Sequence, residues 1–422
     1  MNDTPETTIP RPAFLHTPAV AAVLAALPGA RAVGGCVRDA LAGRDSADVD
    51  VGAPFPPEEI ATRLRDAGLK VFETGLAHGT ITAVKDHLPV EVTSLRRDVL
   101  TDGRHAVVEW TTDWREDAAR RDFTINAMSL TAEGALFDYF TGRADLAAGK
   151  VRFVGDPDTR LAEDYLRALR FFRFQARYGA GKPDAAAVAA IARAVPGLAL
   201  LSIERVWMEL KRILAVPDPR AALDLMAQTG VLGAVLPEAG ARDILMRLIE
   251  SGAPADALLR LAALLAAGTD TAALARRLRF SAEERSWLDE IRGGQGPVAP
   301  GAADADLRRA LAHADRTRLG APARLVLLRT WLSQARQDGA SAPWDKLRAR
   351  IEAIVAAGIP TFPLLGRDLA GEGIAPGPAM GRWLAELRAW WLSGGCIATR
   401  EDCLAELRRR LAQGGGGTAL GG

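Results

Sequence analysis

Apolar and polar positions follow two different periods along this chain. Between about residues 30 and 140, short apolar runs such as ARAVGG, GTITAVK and LPVEVTSL alternate with the amphipathic helical run PPEEIATRLRDAG. From about residue 145 onward, apolar residues recur at i, i+3 and i+4, as in RAALDLMAQTGVLGAVLPE. Because β-like and helical runs alternate only in the first part, the pattern predicts an α+β fold, in which a small mixed α/β head precedes an all-α remainder.

Breaks in the helical pattern divide this remainder. Residues 293–306 are rich in Gly, Pro and Ala, and the Gly-rich residues 414–422 cannot bury a core. A chain of 422 residues is also too long for a single hydrophobic core. We therefore expect a head at 1–145, a helical neck at 146–215, a helical body at 216–295, a helical tail at 296–413 and a flexible end at 414–422.

The bulk composition excludes some classes of protein and leaves others open. A formal net charge of +1 neither indicates nor excludes a nucleic-acid partner. The apolar run AVAAVLAALPGA is too short to span a bilayer, so we predict a helix before the first strand and no membrane segment. Cys36, Cys396 and Cys403 fit neither a disulfide framework nor a zinc cluster, which predicts a reducing, cytoplasmic location.

Acidic residues interrupt two of the predicted strands. Side chains at i and i+2 of a strand share a face, so Asp48 and Asp50 project together while Val49 and Val51 face the core. Glu91 is the only charge between two valines in VEVTS. A turn or a solvated strand edge would explain Asp-x-Asp alone, but two such strands suggest a carboxylate cluster. We predict catalytic roles for all three acids, with Asp48 and Asp50 as Mg²⁺ ligands in a two-metal site.

A pair of glycines precedes this acidic strand. Gly34 and Gly35 lie between a predicted strand and the start of a helix, where bare backbone N–H groups and the positive helix end attract anions. Arg38 lies one turn further on, where it could reach a triphosphate, and Asp39 could brace it. A tight turn is the alternative explanation for the glycines. Beside the carboxylates, we favour a phosphate cradle.

Several motifs in series strongly resemble the class II CCA tRNA nucleotidyltransferase and bacterial poly(A) polymerase superfamily. Gly-Gly-x-Val-Arg-Asp followed by Asp-x-Asp is the first, and four more follow in family order over almost the whole chain: RRDFTINAMSL from residue 120, LAEDYLRALRFFRF from 161, SIERVWMELKRIL from 202 and LLGRDLAGEGIAPGPAMGRWL from 364. The resemblance implies a polymerase-β-like nucleotidyltransferase head followed by an all-α neck, body and tail. It also implies addition of C, C and A to the tRNA 3′ end from CTP and ATP, with the body and tail holding the tRNA.

Base recognition is the role that the resemblance gives to the third motif. One acid and three arginines recur at three-residue spacing there: Asp164, Arg167, Arg170 and Arg173. The alternative is a solvated helix face with weak ion pairs. Cytosine and adenine both present an amine donor beside a ring-nitrogen acceptor, which a carboxylate beside a guanidinium matches, whereas guanine and uracil present the opposite order. By resemblance, Asp164 and Arg167 recognise the base, and Arg170 and Arg173 contact the nucleotide beyond it.

The second and fifth motifs supply further candidates. By resemblance, Arg121 and Asn126 contact the sugar and phosphates, and Asp122 positions the loop or the ribose. In the motif SIERVWMELKRIL we interpret Glu204, Arg205 and Glu209 as structural residues that hold the neck helices together.

Three activities share this scaffold: full CCA addition, partial addition and polyadenylation. The segment RDVLTDGRHAVVEW, residues 97–110, is present in full and resembles that of the tRNA enzymes, which favours CCA or A-only addition and leaves poly(A) synthesis as an alternative. A non-catalytic RNA-binding protein would be expected to lack one of the three acids, and a small-molecule nucleotidyltransferase would not need the base-recognition motif. Only His313 lies beyond residue 105, which excludes a multi-histidine metal site in the helical part.

Overall fold

The computed structural model describes residues 4–46, 48–75, 79–101, 106–294, 298–316, 320–337 and 340–414. It divides into two compact units, Met1–Pro237 and Glu238–Gly422. The division into head, neck, body, tail and flexible end stays a prediction, and residues 415–422 of that end lie outside the described residues.

All the strands of the described structure belong to the first unit. They are β1 (Thr7–Thr8), β2 (Arg31–Val33), β3 (Asp50–Ala53), β4 (Lys70–Gly75), β5 (Thr80–Lys85), β6 (Leu88–Ser94), β7 (Arg96–Thr101), β8 (Ala106–Trp110), β9 (Met128–Leu130) and β10 (Ala135–Asp138). One eight-stranded mixed sheet has the order β1-β10-β9-β2-β3-β6-β5-β4, and β7 and β8 form a separate hairpin. The loop of that hairpin, residues 102–105, lies outside the described residues.

The helices of the first unit begin before β2 and continue after the sheet. They are α1 (Pro18–Ala26), α2 (Gly35–Leu41), α3 (Pro57–Asp66), α4 (Trp114–Ala119), α5 (Gly142–Ala147), α6 (Pro157–Glu163), α7 (Leu166–Tyr178), α8 (Ala185–Ala194), α9 (Ile203–Leu214), α10 (Arg220–Gln228) and α11 (Val231–Val235). The helix predicted in AVAAVLAALPGA is confirmed as α1, but it follows the two-residue strand β1 and does not precede the first strand. The mixed α/β head followed by helices is confirmed as the fold class.

The two faces of the large sheet differ in polarity, as the period-2 pattern predicts. Val51 of β3 and Val92 of β6 are fully buried beneath α1 and α3, in one core with Ile81 of β5. The alternate residues of the same strands, among them Asp50 and Glu91, point to the opposite face. The buried face holds the sheet in place and leaves the polar face for chemistry.

Aromatic side chains pack α7 against the rest of the first unit. Phe171 is fully buried, and its ring centroid lies 6.1 Å from that of Phe153, which lies 4.9 Å from that of Phe123. Phe174 also packs on Phe123, at 5.2 Å. Because these rings fill one face of α7, its arginines are confined to the other face.

The second unit is helical throughout its described residues. Its helices are α12 (Asp243–Glu250), α13 (Ala257–Leu264), α14 (Thr271–Arg277), α15 (Ala282–Gly293), α16 (Asp304–Arg316), α17 (Pro322–Arg336), α18 (Ala342–Ala357), α19 (Gly366–Gly371), α20 (Pro378–Ser393) and α21 (Arg400–Gly414). Trp391 and Leu387 of α20 and Leu407 of α21 are buried in a core of this unit. Within the ranges that the structure describes, no helix combines the length and the hydrophobicity needed to cross a bilayer.

Candidate active site

Two of the three predicted acids lie side by side on the sheet. Strands β3 and β6 are parallel neighbours, and their register pairs Asp50 directly with Glu91. Burial of the carboxyl group and the nearby charge of Glu91 raise the pKa of Asp50, Asp48 raises it further, and Arg121 opposes the shift. The neighbouring acids therefore leave negative charge on this face that is only partly neutralised.

The prediction that Asp48 lies on the same strand as Asp50 is wrong. Strand β3 begins at Asp50, so Asp48 lies in the segment before the strand, where the i, i+2 rule does not fix its direction. The hydroxyl of Ser46 donates to the carbonyl oxygen of Asp48 at 2.9 Å, a local contact that competes with strand pairing. The Asp48 side chain is exposed and lines a cavity of about 850 Å³, which Asp50 does not line.

The acidic residues fit a hard divalent cation without forming a complete cage. Among the residues that the structure describes, no group of three or more His, Cys, Asp or Glu side chains could hold a metal ion by itself. Mg²⁺ does not require one, since it keeps several waters and usually binds one or two carboxylates together with substrate phosphates. Asp50, with Asp48 close enough to raise its pKa, offers such a pair of carboxylates.

The predicted glycine pair joins β2 to α2. Gly34 has φ +72°, a conformation that favours glycine, and α2 begins at the next residue, as predicted. A Cβ atom at Gly34 would lie 2.9 Å from Nη1 of Arg121. The backbone angle therefore favours glycine at position 34, and a side chain there would also displace this guanidinium.

Arg38 is buried and held from two directions. Its Nε and Nη2 donate to Oδ1 of Asp39 at 3.1 and 3.0 Å, and its Nη1 donates to Oδ1 of Asn126. The Asn126 amide nitrogen in turn donates to Oδ1 of Asp122 at 2.9 Å. Asp122 also accepts from Nε of Arg170 at 2.7 Å. One hydrogen-bonded chain thus connects α2 with α7.

Asp122 is ionised at the centre of this chain. Burial alone would raise its pKa, but the Arg170 guanidinium and the hydrogen bonds from Asn126 and the Phe123 backbone outweigh burial, so the pKa lies below its ordinary value. The fixed negative charge of Asp122 therefore orients Arg170 and Asn126.

Asp117 holds two neighbouring arginines, and the sequence analysis did not identify it. Its carboxylate is buried and accepts from Arg120 at 2.8 Å and from Arg121 at 3.2 Å. Burial would raise the pKa of Asp117, but Arg121 and Arg120 lower it below the ordinary value. The signal was present in the sequence, because Asp117 lies three and four residues before the two arginines on a short helix.

The predicted residues converge on one cavity of about 560 Å³. Ten of them line it: Gly34, Gly35, Arg38, Asp50, Arg121, Asp122, Asn126, Asp164, Arg167 and Arg170. Five further residues of the lining were not predicted as site residues: Arg96, Arg120, Leu166, Phe174 and Arg205. With seven arginines against three aspartates, the lining has a formal excess of four positive charges and suits a polyanion such as a triphosphate.

Glu91 and Arg173, like Asp48, lie outside this lining. Glu91 lines an adjoining cavity of about 170 Å³, which shares Asp50, Arg96, Arg120 and Arg121 with the larger one. Arg173 donates from Nε to Oε2 of Glu209 at 2.8 Å. Asp50 thus lies where the two cavities adjoin.

The helical spacing predicted for the base-recognition motif is wrong at its first residue. α6 ends at Glu163 and α7 begins at Leu166, and between them Asp164 has an extended backbone with φ −158°. Its Oδ1 accepts from the backbone N–H of Leu166 at 3.1 Å. Asp164 therefore does not continue the stripe of arginines, because its side chain satisfies the amide groups that open α7.

Asp164 and Arg167 line the same cavity but are held by different partners. Oδ2 of Asp164 accepts from Arg205 at 2.7 Å. Nη1 of Arg167 donates to Glu163 and to the carbonyl oxygen of Arg160, the latter at 3.0 Å. Each group is thereby oriented independently of the other.

Glu209 joins the neck helices, as the sequence analysis predicts. Its buried carboxylate accepts from Arg173 of α7 at 2.8 Å and from Arg212 of α9 at 2.9 Å. Arg205 differs from the purely structural interpretation, because it lines the cavity while holding Asp164.

We predict that Glu209→Gln lowers the free energy of unfolding by about 2 kcal/mol, because it leaves the Arg173 guanidinium without its carboxylate. Urea unfolding followed by circular dichroism measures this change. Glu133→Gln, at an exposed position of the same unit, is the control and should change stability by less than about 0.5 kcal/mol. Equal effects of the two substitutions would contradict the bridging role.

Comparison with known proteins gives consistent matches over the chain. Residues 30–152 match the family described as "Poly A polymerase head domain", and residues 182–242 match "Probable RNA and SrmB- binding site of polymerase A". The mouse protein named "CCA tRNA nucleotidyltransferase 1, mitochondrial" is 36% identical over 393 residues, which cover 90% of this chain and 86% of that protein. A protein of Geobacillus thermodenitrificans named "CCA-adding enzyme" is 37% identical over 205 residues, or 47% of this chain and 48% of that protein.

A solved structure agrees with the sequence matches. The CCA-adding enzyme of Bacillus stearothermophilus, in a crystal structure with CTP, superposes with a TM-score of 0.70 at 25% identity. The superposition covers 94% of this chain and 100% of that one.

Proposed function

Because this chain belongs to the CCA tRNA nucleotidyltransferase family, we propose that it adds C, C and A to the 3′ end of tRNA from CTP and ATP, without a nucleic-acid template and with release of pyrophosphate. The observation that carries this proposal is the cavity of about 560 Å³. Asp50, a set of arginines and the pair Asp164 and Arg167 all line it. Nucleotidyl transfer needs these three elements: a metal ligand, a triphosphate site and a means of base selection.

The triphosphate binds at the junction of β2 and α2. Gly34 and Gly35 line the cavity without side chains, so the N–H groups at the start of α2 donate to phosphate oxygens, and Arg38, Arg121 and Asn126 contact the phosphates and the sugar. Arg170 contacts the nucleotide beyond the base, and the Asp122 carboxylate keeps the Arg170 guanidinium in place. Arg173 contributes through its ion pair with Glu209 and supports α7. These groups are oriented before the substrate arrives, which reduces the entropy lost on binding.

Asp48 and Asp50 are the proposed metal ligands, and Glu91 completes the acidic set beside Asp50. Nucleotidyltransferases of this family generally use divalent metal ions. We propose Mg²⁺, because the site offers hard carboxylate oxygens and a neighbouring phosphate site. Held there by Asp48 and Asp50, Mg²⁺ would supply Lewis acidity for the attacking 3′ hydroxyl and for the leaving pyrophosphate.

Asp164 and Arg167 select the base. The carboxylate accepts a hydrogen bond from the exocyclic amine of cytosine or adenine, and the guanidinium donates to the adjacent ring nitrogen. Guanine or uracil would leave acceptor against acceptor and donor against donor, which a dehydrated site rejects strongly. Arg205 holds the Asp164 side chain and Glu163 holds that of Arg167, so each group is oriented toward the base by its own partner.

Full CCA addition is tested by one assay on three substrates. The purified protein is incubated with Mg²⁺, CTP and ATP and with tRNAs that end before CCA, after C and after CC. We expect all three tRNAs to be extended to CCA. Extension of only the third would indicate A-only addition, a long adenosine tract would indicate poly(A) synthesis, and no extension of any would contradict the proposed function.

Two sequence-based expectations stay predictions. The segment 97–110 favoured CCA or A-only addition, but residues 102–105 lie outside the described residues. The cytoplasmic location rests on the three cysteines, all of which are buried and free of disulfides in the structure.

A further inference from the structure

Tyr178 lies at the last position of α7, and its hydroxyl group reaches α2. The ring is 9% exposed, and the hydroxyl donates to Oδ1 of Asp39. Burial and this hydrogen bond both raise the pKa of Tyr178 above its ordinary value. The phenol is therefore a neutral donor at physiological pH.

Asp39 passes this contact on to Arg38. The oxygen that accepts from Tyr178 also accepts from Nε and Nη2 of Arg38. The Arg38 guanidinium lies 4.4 Å from the centroid of the Tyr178 ring and 5.0 Å from that of Phe174. Tyr178 thus contacts Arg38 through its ring and, by way of Asp39, through its hydroxyl.

The opposite side of Arg38 leads back to the same helix. Nη1 of Arg38 donates to Asn126, Asn126 donates to Asp122, and Asp122 accepts from Arg170 of α7. Arg170 lies about two turns before Tyr178 on that helix. The helix that carries Arg167 and Arg170 is therefore attached to the phosphate cradle at two points, with Arg38 between them.

We infer that Tyr178 is a positioning residue for nucleotide binding, which orients Arg38 toward the triphosphate by way of Asp39. The inference rests on the proposed function, because it takes Arg38 as a triphosphate contact. Tyr178 does not line the nucleotide cavity, so it acts through Arg38 and does not touch the substrate. The triphosphate is common to CTP and ATP, whereas the base and the tRNA contact other residues.

The test is Tyr178→Phe, which keeps the ring and removes only the hydroxyl. We expect the KM values for CTP and for ATP to rise by the same factor, about 5-fold, because a hydrogen bond to a charged group is lost one residue away from the ligand. The inhibition constant of pyrophosphate should rise by that factor too. The KM for tRNA and the preference for C and A should stay unchanged.

Tyr139→Phe is the matched control, because the Tyr139 hydroxyl accepts from Arg31 at 3.1 Å in the same unit and this residue does not line the nucleotide cavity. It should leave all of these constants unchanged. A lower melting temperature of Tyr178→Phe with unchanged KM values would show a merely structural tyrosine and would overturn the inference. Failure of the wild-type protein to extend tRNA would instead contradict the proposed function, so the two outcomes are distinguishable.

Discussion

Replacing Asp50 with asparagine should lower the rate of CTP addition to tRNA by about 1,000-fold or more, while the protein stays folded. Asparagine has the same shape but cannot supply the anionic oxygen that a divalent ion requires. Asp48→Ala should abolish addition as well. Both are measured as single-turnover rates at saturating CTP and Mg²⁺, and substantial residual turnover in either variant would contradict the metal assignment.

Although Asp50→Asn lowers the reaction rate, we expect it to raise the stability of the folded protein. The pKa of Asp50 is raised by burial and by Glu91, so the ionised carboxylate destabilises the folded state at neutral pH. This destabilisation is fully present above the folded-state pKa and disappears as the pH falls below the unfolded value. Without metal at pH 7, we therefore expect Asp50→Asn to raise the melting temperature, and to lose that advantage in acid.

Metal binding gives a further measurement that does not depend on activity. Adding Mg²⁺ should raise the melting temperature of the wild-type protein and should affect Asp50→Asn much less, because a ligand stabilises only the state that binds it. Asp66→Asn is the matched control, because Asp66 is exposed at the end of α3 and lines neither of the two adjoining cavities. It should keep the wild-type rate and the wild-type response to Mg²⁺.

The strands of the active site follow from the sequence because their period is strict. Val51 and Val92 are fully buried, and this fixes Asp50 and Glu91 on the other face whatever else the chain does. Asp48 could not be placed in the same way, because it lies outside the paired region and only tertiary contacts decide its direction. Strand β9 has only three residues, which are too few for an alternating pattern to be recognised in the sequence.

The arginines of the cavity show what a one-dimensional pattern cannot supply. Arg120 and Arg205 occur in motifs that the sequence analysis identified, yet only the folded chain brings both to the wall lined by Asp164. Arginine spacing indicates which helix face a residue occupies, but the partner of a long side chain comes from another element. The break at Asp164 was detectable in principle, because aspartate is a preferred residue just before a helix.

Changing Asp164 and Arg167 together should alter which nucleotide is added before it alters the fold. In Asp164→Asn/Arg167→Gln, each side chain presents both a donor and an acceptor, so the fixed order that matches cytosine and adenine is lost. We expect the preference for CTP over UTP, on the order of 10⁴-fold for a site of this kind, to fall to about 100-fold or less. Competition between the two nucleotides on a tRNA lacking CCA measures this ratio.

Loss of local structure must be separated from loss of selection, since Asp164 also accepts from the N–H that opens α7 and Arg167 is paired with Glu163. Arg160→Gln is the matched control, because Arg160 contacts the same Glu163 oxygen at 2.9 Å but does not line the cavity. It should lower stability about as much as the loss of one partly exposed ion pair and leave the CTP-to-UTP ratio unchanged. If the double variant kept the full preference for C and A, or if Arg160→Gln lost it equally, base selection would have to come from other groups of the cavity.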